Sequence, residues 1–207
     1  MIRFILFISI ILFINPLITS AQKCGQRHYY GKVGITTSYG VNNIFQSNQL
    51  DGAPSITGKE FFSFGGSYVF ELIKPFDLEW GLDYLNHSIN TTSNLPPDSP
   101  TIEQSYDLAL ANLSLAIRAN FLNYFFVNGG AIAGLDLSTT SPIAAQDGIG
   151  AIAGIGANYD FYSGISIFVN PFVRIHSLIP FSSNNNQQRL FESGVRLGIS
   201  FDLDKVN

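Results

Sequence analysis

The stretch that decides the fold is Leu190-Phe-Glu-Ser-Gly-Val-Arg-Leu-Gly-Ile-Ser-Phe-Asp-Leu203. From Val195 onward, large apolar residues alternate with polar or small residues, so the segment has two faces of opposite character. A period of two residues is that of a β-strand. When such a strand lies near the end of an exported chain, it is typical of a membrane barrel that turns its apolar face toward lipid.

The N-terminus has the pattern of a cleavable signal peptide. Arg3 precedes a predominantly apolar run from Phe4 to Ile14, and small residues follow up to Ala21. The apolar run is too short for a spanning helix. We therefore predict a signal peptide at residues 1–21 and one outer-membrane β-barrel domain at residues 22–207.

Composition narrows the class of protein further. Hydrophobic residues make up 46% of the chain and charged residues only 13%, whereas soluble domains average about 25% charged residues. The only cysteine is Cys24, so no internal disulfide forms. Without Arg3, 10 of the 11 basic residues remain against 15 acidic ones, and they form no basic cluster, which argues against nucleic-acid binding.

Reading the alternation along the chain predicts eight strands. They are about Tyr30–Tyr39, Phe61–Leu72, Phe76–Ser88, Gln104–Asn120, Phe125–Leu137, Gly148–Tyr159, Ile165–His176 and Leu190–Leu203. Long polar connections follow the first, third, fifth and seventh strands, and tight turns follow the second, fourth and sixth. Short periplasmic turns and long extracellular loops are typical of outer-membrane barrels, and an even strand number leaves both termini in the periplasm. The predicted fold is an all-β, eight-stranded antiparallel up-and-down transmembrane β-barrel.

The fourth predicted strand changes phase in its middle. Leu108 and Leu110 lie on even positions, whereas Leu113 and Leu115 lie on odd positions. If all four faced lipid, the strand would need one extra residue. We therefore predict a β-bulge near Ala111–Asn112.

Several runs resemble the outer-membrane β-barrel domain of the PorT-like, OmpA-type families of Gram-negative bacteria. These runs are Tyr30-Gly-Lys-Val-Gly34, Phe76-Asp-Leu-Glu-Trp-Gly-Leu-Asp-Tyr84, Leu113-Ser-Leu-Ala-Ile-Arg118 and Arg196-Leu-Gly-Ile-Ser-Phe-Asp-Leu203. The resemblance covers essentially the whole mature chain and implies a cell outer-membrane location with lipid around the barrel. Arg196, Gly198, Phe201 and Leu203 also resemble the C-terminal signal that the barrel assembly machinery reads, which implies that this machinery is a partner.

Charged residues occur on the predicted inner face of the wall. They are Glu71, Asp77, Glu79, Asp83, Arg118, Arg174, Glu192 and Arg196. An eight-stranded barrel is only wide enough for side chains to fill, and buried charges are tolerated when they are paired. We predict a structural ion-pair network that plugs the lumen; the alternative is a proton or ion path. The inward residues Phe168 and Phe172 are expected to cover the glycines of the sixth strand.

Two histidine–serine pairs raise the possibility of an enzyme. His87-Ser88 and His176-Ser177 both fall at the loop end of the wall, and Glu192 lies on the strand next to the second pair. Adjacent residues of a strand point to opposite faces, so neither pair is assembled within its own strand. We therefore predict no catalytic, cofactor-binding or metal-binding residues and no cofactor.

These observations predict a non-enzymatic integral outer-membrane protein. Its extracellular loops would contact another envelope protein or surface polysaccharide, because binding sites often lie on loops carried by a rigid scaffold. The alternatives are a small barrel enzyme, either a lipid A or phospholipid hydrolase or a protease, and a narrow channel.

Overall fold

The computed structural model describes residues 31–45, 55–92, 103–122, 124–138, 143–181 and 188–203. Its strands are β1 (Lys32–Phe45), β2 (Ser55–Ile73), β3 (Phe76–Thr92), β4 (Glu103–Phe121), β5 (Phe125–Asp136), β6 (Gly148–Asp160), β7 (Ile165–Pro180) and β8 (Arg189–Asp202). Each strand pairs antiparallel with the next, and β1 pairs with β8, so the sheet closes. The predicted eight-stranded up-and-down barrel is confirmed. The predicted signal peptide and Cys24 lie outside the described residues.

Short connections join β2 to β3, β4 to β5 and β6 to β7, as predicted. In the last of these, the Phe161 amide donates to the Ile165 carbonyl at 2.8 Å. Gly164 there has a φ of 84°, a left-handed conformation that glycine adopts without steric cost. We call this end of the barrel the turn end and the opposite end the loop end. Among the described residues, no helix is long and apolar enough to cross a bilayer.

An apolar ring surrounds the outside of the wall, and we call it the belt. In β8, for example, exposed Val195, Leu197 and Ile199 alternate with the buried polar or small residues Arg196, Gly198 and Ser200. Soluble monomers rarely expose contiguous apolar surface on this scale. An outward apolar band over a polar interior is the pattern of a lipid-facing barrel.

The strands at the loop end are longer than the sequence predicted. β1 runs to Phe45 and β2 begins at Ser55, so part of the predicted first loop is paired strand. β3 likewise continues to Thr92. In β2 and β3 the added residues do not follow the belt pattern of apolar outside and polar inside, because Thr57 and Lys59 are exposed and Ile89 is buried. Their alternation was therefore not recognised.

The predicted bulge near Ala111–Asn112 is wrong. β4 pairs with β3 from Thr92↔Glu103 to Phe76↔Ala119 without a register shift, and its pairing with β5 is also continuous. The shifts that do occur in the sheet lie in β2 between Gly58 and Phe61, at the β2–β3 turn, and opposite Ile149–Ala151 of β6.

What changes along β4 is the environment of its faces. Leu108 and Leu110 point inward and are fully buried, while Asp107, which precedes Leu108, is exposed. The inward leucines belong to an apolar cluster at the loop end, which we call the loop-end cluster. It consists of Leu85, Ile89, Leu108, Leu110, Ile143 and Leu190, with Ile44 and Ile56 packed against it.

Aromatic rings inside the barrel lie against glycines, although not as predicted for β6. A Cβ on Gly156 of β6 would meet the ring of Phe126, and a Cβ on Gly198 of β8 would meet the ring of Phe168. Phe172 instead joins Phe61 in a second apolar cluster. The rings therefore fill the space that glycines leave, but Phe168 does so on its other neighbouring strand because β7 pairs with both β6 and β8.

Candidate functional site

The lumen of the barrel holds most of the charged residues that the sequence placed there. Arg196 Nη2 lies 2.6 Å from Glu79 Oε1 across the barrel. Arg174 lies 3.5 Å from Asp83 Oδ2 and 3.4 Å from Glu192 Oε2. All five side chains are almost fully buried, and buried charges of both signs in contact avoid most of the cost of isolation.

Arg118 and Asp77 lie nearer the turn end and stand opposite each other in the β3–β4 register. The Arg118 guanidinium carbon is 3.4 Å from the centroid of the Phe126 ring, a cation–π arrangement. Asp77 is half-buried and accepts a hydrogen bond from Asn120 Nδ2 at 2.6 Å. Glu71 does not belong to the network: it is exposed beside the β2–β3 turn, where the strand has already left the lumen.

Neutral polar groups add hydrogen bonds to two of the guanidinium groups. Oriented by their hydrogen bonds, the amide oxygens of Asn112 and Asn170 accept from Arg174 at 3.3 Å and from Arg196 at 3.0 Å, respectively. The Thr36 hydroxyl donates to Asp83 Oδ1 at 3.3 Å. In the part of the chain that is described, a packed polar layer therefore fills the lumen.

One group of side chains in this layer was not predicted as a unit. His87 of β3, His176 of β7 and Glu192 of β8 each offer a ligand atom, and these atoms lie within 4.8 Å of one another. His176 Nε2 contacts Glu192 Oε1, and His87 Nε2 lies 3.3 Å from the same oxygen. We call these three residues the histidine–glutamate cluster.

The cluster is sealed from solvent. Its side chains are at most 1% exposed. His87 lies between Leu85 and Ile89 on the inner face of β3, and both of these neighbours belong to the loop-end cluster. The ring of Phe61 packs on His87 with a centroid distance of 5.4 Å.

β7 is distorted at His176-Ser177, so the alternation expected at this histidine–serine pair does not hold. Ile149 and Ala151 of β6 pair with Ile179 and Ile175, so β7 has extra residues between these pairs. Ser177 has a φ of 49°, and both His176 and Ser177 are buried. The rule that adjacent residues face opposite sides therefore fails here.

Ser177 is nevertheless engaged with backbone. Its hydroxyl donates to the Asp147 carbonyl oxygen at 3.3 Å. At the other predicted pair, the alternation holds: His87 is buried and Ser88 is partly exposed. The fold thus brings the two histidines and Glu192 together.

Two cavities of the described residues lie on the wall of the barrel. A groove of about 750 Å³ is lined by Ile35, Phe64, Tyr124, Ile167 and other belt residues. A smaller cavity of about 300 Å³ near the loop end is lined by Tyr39, Glu60, Phe61, Phe62, Asn86, Ser88 and Asp107. Neither is lined by His87, His176 or Glu192, so the cluster does not open into either of them.

Several solved structures of outer-membrane proteins are similar to this chain. The crystal structure of the outer membrane protein OprG from Pseudomonas aeruginosa is 15% identical, with a TM-score of 0.52, and the match covers 84% of this chain and 96% of OprG. The outer membrane protein AlkL in lipid bilayers is 13% identical, with 86% and 92% coverage and a TM-score of 0.45. The translocator domain of the autotransporter NalP from Neisseria meningitidis is 11% identical, with 94% and 96% coverage and a TM-score of 0.38.

The fold is that of an eight-stranded outer-membrane barrel. This conclusion rests on the similarity to OprG. At 15% identity, that similarity shows the fold alone. No protein-family model and no curated protein matches the sequence.

Proposed function

We propose that this chain is a non-enzymatic integral outer-membrane barrel that serves as a sealed scaffold for its extracellular loops. The observation that carries the proposal is the contrast between an apolar belt outside and a lumen filled by buried ion pairs and two apolar clusters. The belt is suited to lipid, and the filled lumen favours a scaffold over a channel. In this proposal both termini are periplasmic, and the loops contact another envelope protein or surface polysaccharide.

Conductance measurement in planar bilayers tests the sealed lumen. We expect the purified chain to insert without conductance steps. A variant in which Leu108 and Leu110 are both replaced by alanine removes part of the loop-end cluster and is the matched test of whether that cluster contributes to the seal. Conductance steps of regular size from the wild-type chain would refute the scaffold proposal in favour of a channel.

Sequestration of the histidines supports the non-enzymatic assignment. A catalytic base must reach the proton that it abstracts, whereas His87 and His176 are sealed beneath the loop-end cluster. We expect no turnover of lipid A, phospholipid or peptide by the folded chain in detergent. Turnover by the wild-type chain that is lost in both His87→Gln and His176→Gln, with each variant folded, would refute the proposal and indicate an enzyme.

The resemblance to PorT-like, OmpA-type barrels is part of this proposal, as is recognition by the barrel assembly machinery. In the folded chain, Arg196 is inward and paired with Glu79, while Phe201 is exposed on the belt. The signal would therefore be read before β8 closes the barrel. Replacing Phe201 with alanine should slow assembly into membranes that contain the machinery more than replacing Phe125, a similarly exposed phenylalanine of β5; equal slowing would argue against the signal.

A further inference from the structure

We propose that His87, His176 and Glu192 form a buried binding site for one divalent transition-metal ion of the Zn²⁺ class. The site would tie β3 to β7 and β8 across the lumen. It goes beyond the scaffold function, because a sealed scaffold needs no metal. The argument rests on the donor set, on an unpartnered buried histidine and on the charge of the surrounding residues.

The donor set matches the ion. Two imidazoles and one carboxylate are ligands that Zn²⁺ takes, with bonds of about 2.0–2.2 Å in tetrahedral geometry. Such bonds put ligand atoms about 3.3 Å apart. His87 Nε2 is already 3.3 Å from Glu192 Oε1, and the donor atoms all lie within 4.8 Å of one another. Side-chain rotations that move atoms by about 1 Å would therefore bring the three donors to three corners of a tetrahedron, and a water molecule would take the fourth.

His87 has no other use for its ring nitrogens among the described residues. The side chain is fully buried, and neither Nδ1 nor Nε2 makes a hydrogen bond there. Its Nε2 is aimed at Glu192 Oε1, the oxygen that His176 Nε2 already contacts. A buried polar group without a partner costs about 1–3 kcal/mol, so the arrangement calls for a group that satisfies both imidazoles at once.

The second ring nitrogen of His176, Nδ1, is buried and makes no hydrogen bond among the described residues. A Cβ placed on Gly134 would lie 3.7 Å from His176 Nδ1 and 3.3 Å from the Gln146 carbonyl oxygen. These distances place His176 Nδ1 and the Gln146 carbonyl oxygen, together with the Asn112 side chain, around the space that a side chain at Gly134 would occupy. Metal-binding histidines usually donate their second N–H to such an acceptor, which leaves the Nε2 lone pair directed at the cluster.

The charges around the cluster favour a cation. Asp83 and Glu192 contribute two carboxylates, and Arg174, which contacts both, contributes one guanidinium. Among these three side chains at the cluster, one negative charge is left over. A metal ion would balance this charge while it binds both imidazoles and the carboxylate.

Metal content tests the proposal directly. The mature chain without an affinity tag is folded in detergent after chelator treatment, incubated with ZnCl₂, and freed of excess metal by gel filtration before elemental analysis. We expect close to one zinc per chain. When Co²⁺ is bound in place of Zn²⁺, the wild-type chain should show the visible absorption of a tetrahedral site with nitrogen and oxygen ligands. This measurement requires no variant.

Variants assign the ligands. Loss of a residue that only supports a metal ligand typically lowers the affinity for the metal about 10–100-fold. Loss of a ligand itself should cost more, so His87→Gln and His176→Gln should each weaken zinc binding by more than about 100-fold. His28→Gln is the matched control, because His28 is the third histidine of the chain, and it should retain the metal. Folding of each variant is verified by gel electrophoresis, because a folded barrel migrates differently before and after heating.

Two results would overturn the proposal. One is a folded wild-type chain that retains less than about a tenth of an equivalent of zinc and gives no tetrahedral cobalt spectrum. The other is a double variant, His87→Gln with His176→Gln, that binds zinc as tightly as wild type.

Discussion

The two halves of β4 have the same alternating backbone but opposite hydrophobic faces. Toward the turn end, Leu115 points outward and is 40% exposed, while its neighbour Arg118 is buried in the lumen. Toward the loop end, Leu108 points inward and is fully buried, while Asp107 points outward. The same inversion occurs on β3, where exposed Asn86 follows exposed Tyr84 as the apolar residues move inside.

The difference teaches that the surrounding solvent decides which face of a strand is apolar. Within the belt the outer face is suited to lipid, so polar residues collect inside. Beyond the belt the strand ends behave as in a water-soluble barrel, with an apolar interior and a polar surface. We call these strand ends, residues 86–92 of β3 and 103–110 of β4, the loop-side extension.

The largest expected effect comes from breaking the charged layer inside the belt. Arg174→Met would leave Asp83 and Glu192 buried without their guanidinium partner, and we expect a loss of about 3–5 kcal/mol in the free energy of unfolding. Lys32→Met is the control, because Lys32 pairs with Asp160 at a partly exposed site, where a pair contributes at most about 1 kcal/mol. Urea unfolding in lipid vesicles measures both; equal losses would mean that the buried layer does not stabilise the barrel.

The next prediction compares the two halves of β4 by making the same leucine-to-alanine substitution in each. Leu108→Ala should cost about 2–5 kcal/mol because it leaves a cavity in the loop-end cluster. Leu115→Ala should cost about 1 kcal/mol, because its side chain lies on the outer surface and no cavity forms. Unfolding midpoints of the two variants, measured under identical conditions, give the comparison, and a larger loss at Leu115 would contradict the assigned inversion.

A charge placed on the outer surface locates the boundary of the belt. Leu115→Arg should destabilise the folded chain in vesicles by about 2–4 kcal/mol, since the residue faces the lipid interior. Asn86→Arg should cost at most about 1 kcal/mol, because Asn86 lies on the loop-side extension. Refolding yield and unfolding free energy in vesicles report on both, and similar penalties would place Asn86 within the bilayer.

The smallest effect concerns the glycines that accommodate rings inside the belt. A Cβ on Gly198 would run into the Phe168 ring, so Gly198→Ala should cost about 1–3 kcal/mol through overpacking. A Cβ on Gly66 would meet only the Gly34 carbonyl oxygen, at 3.6 Å, so Gly66→Ala should change stability by less than about 1 kcal/mol. Thermal unfolding in detergent measures both, and tolerance of the two substitutions alike would show that the ring is free to move aside.

The sequence was sufficient for the architecture but misleading about the upper part of β4. Reading every large apolar residue as lipid-facing required a bulge near Ala111–Asn112, whereas the register is continuous and the leucines of the two halves face opposite sides. Polar neighbours such as Asp107 carried the missing signal. An exposed acid next to an inward leucine indicates water outside the wall.

The histidine–glutamate cluster was only partly within reach of the sequence. His176 and Glu192 share inward positions on adjacent strands, which the alternation of β7 and β8 could have suggested. His87 lies on β3, on the far side of β1 and β2 from β8, and its approach depends on barrel diameter and strand tilt. The distortion at Ser177, which buries two consecutive residues, leaves no local pattern to read.

By itself, the sequence determined the strand count, the alternation of tight turns and long loops, and the inward placement of Glu79, Asp83, Arg174 and Arg196. Those features follow from the two-residue period, which is a local property of the chain. Only the tertiary structure decided which inward side chains meet, where the apolar face changes sides and that two histidines converge on Glu192. These depend on closure of the sheet, which brings residues of distant strands within contact distance across a lumen one side chain deep.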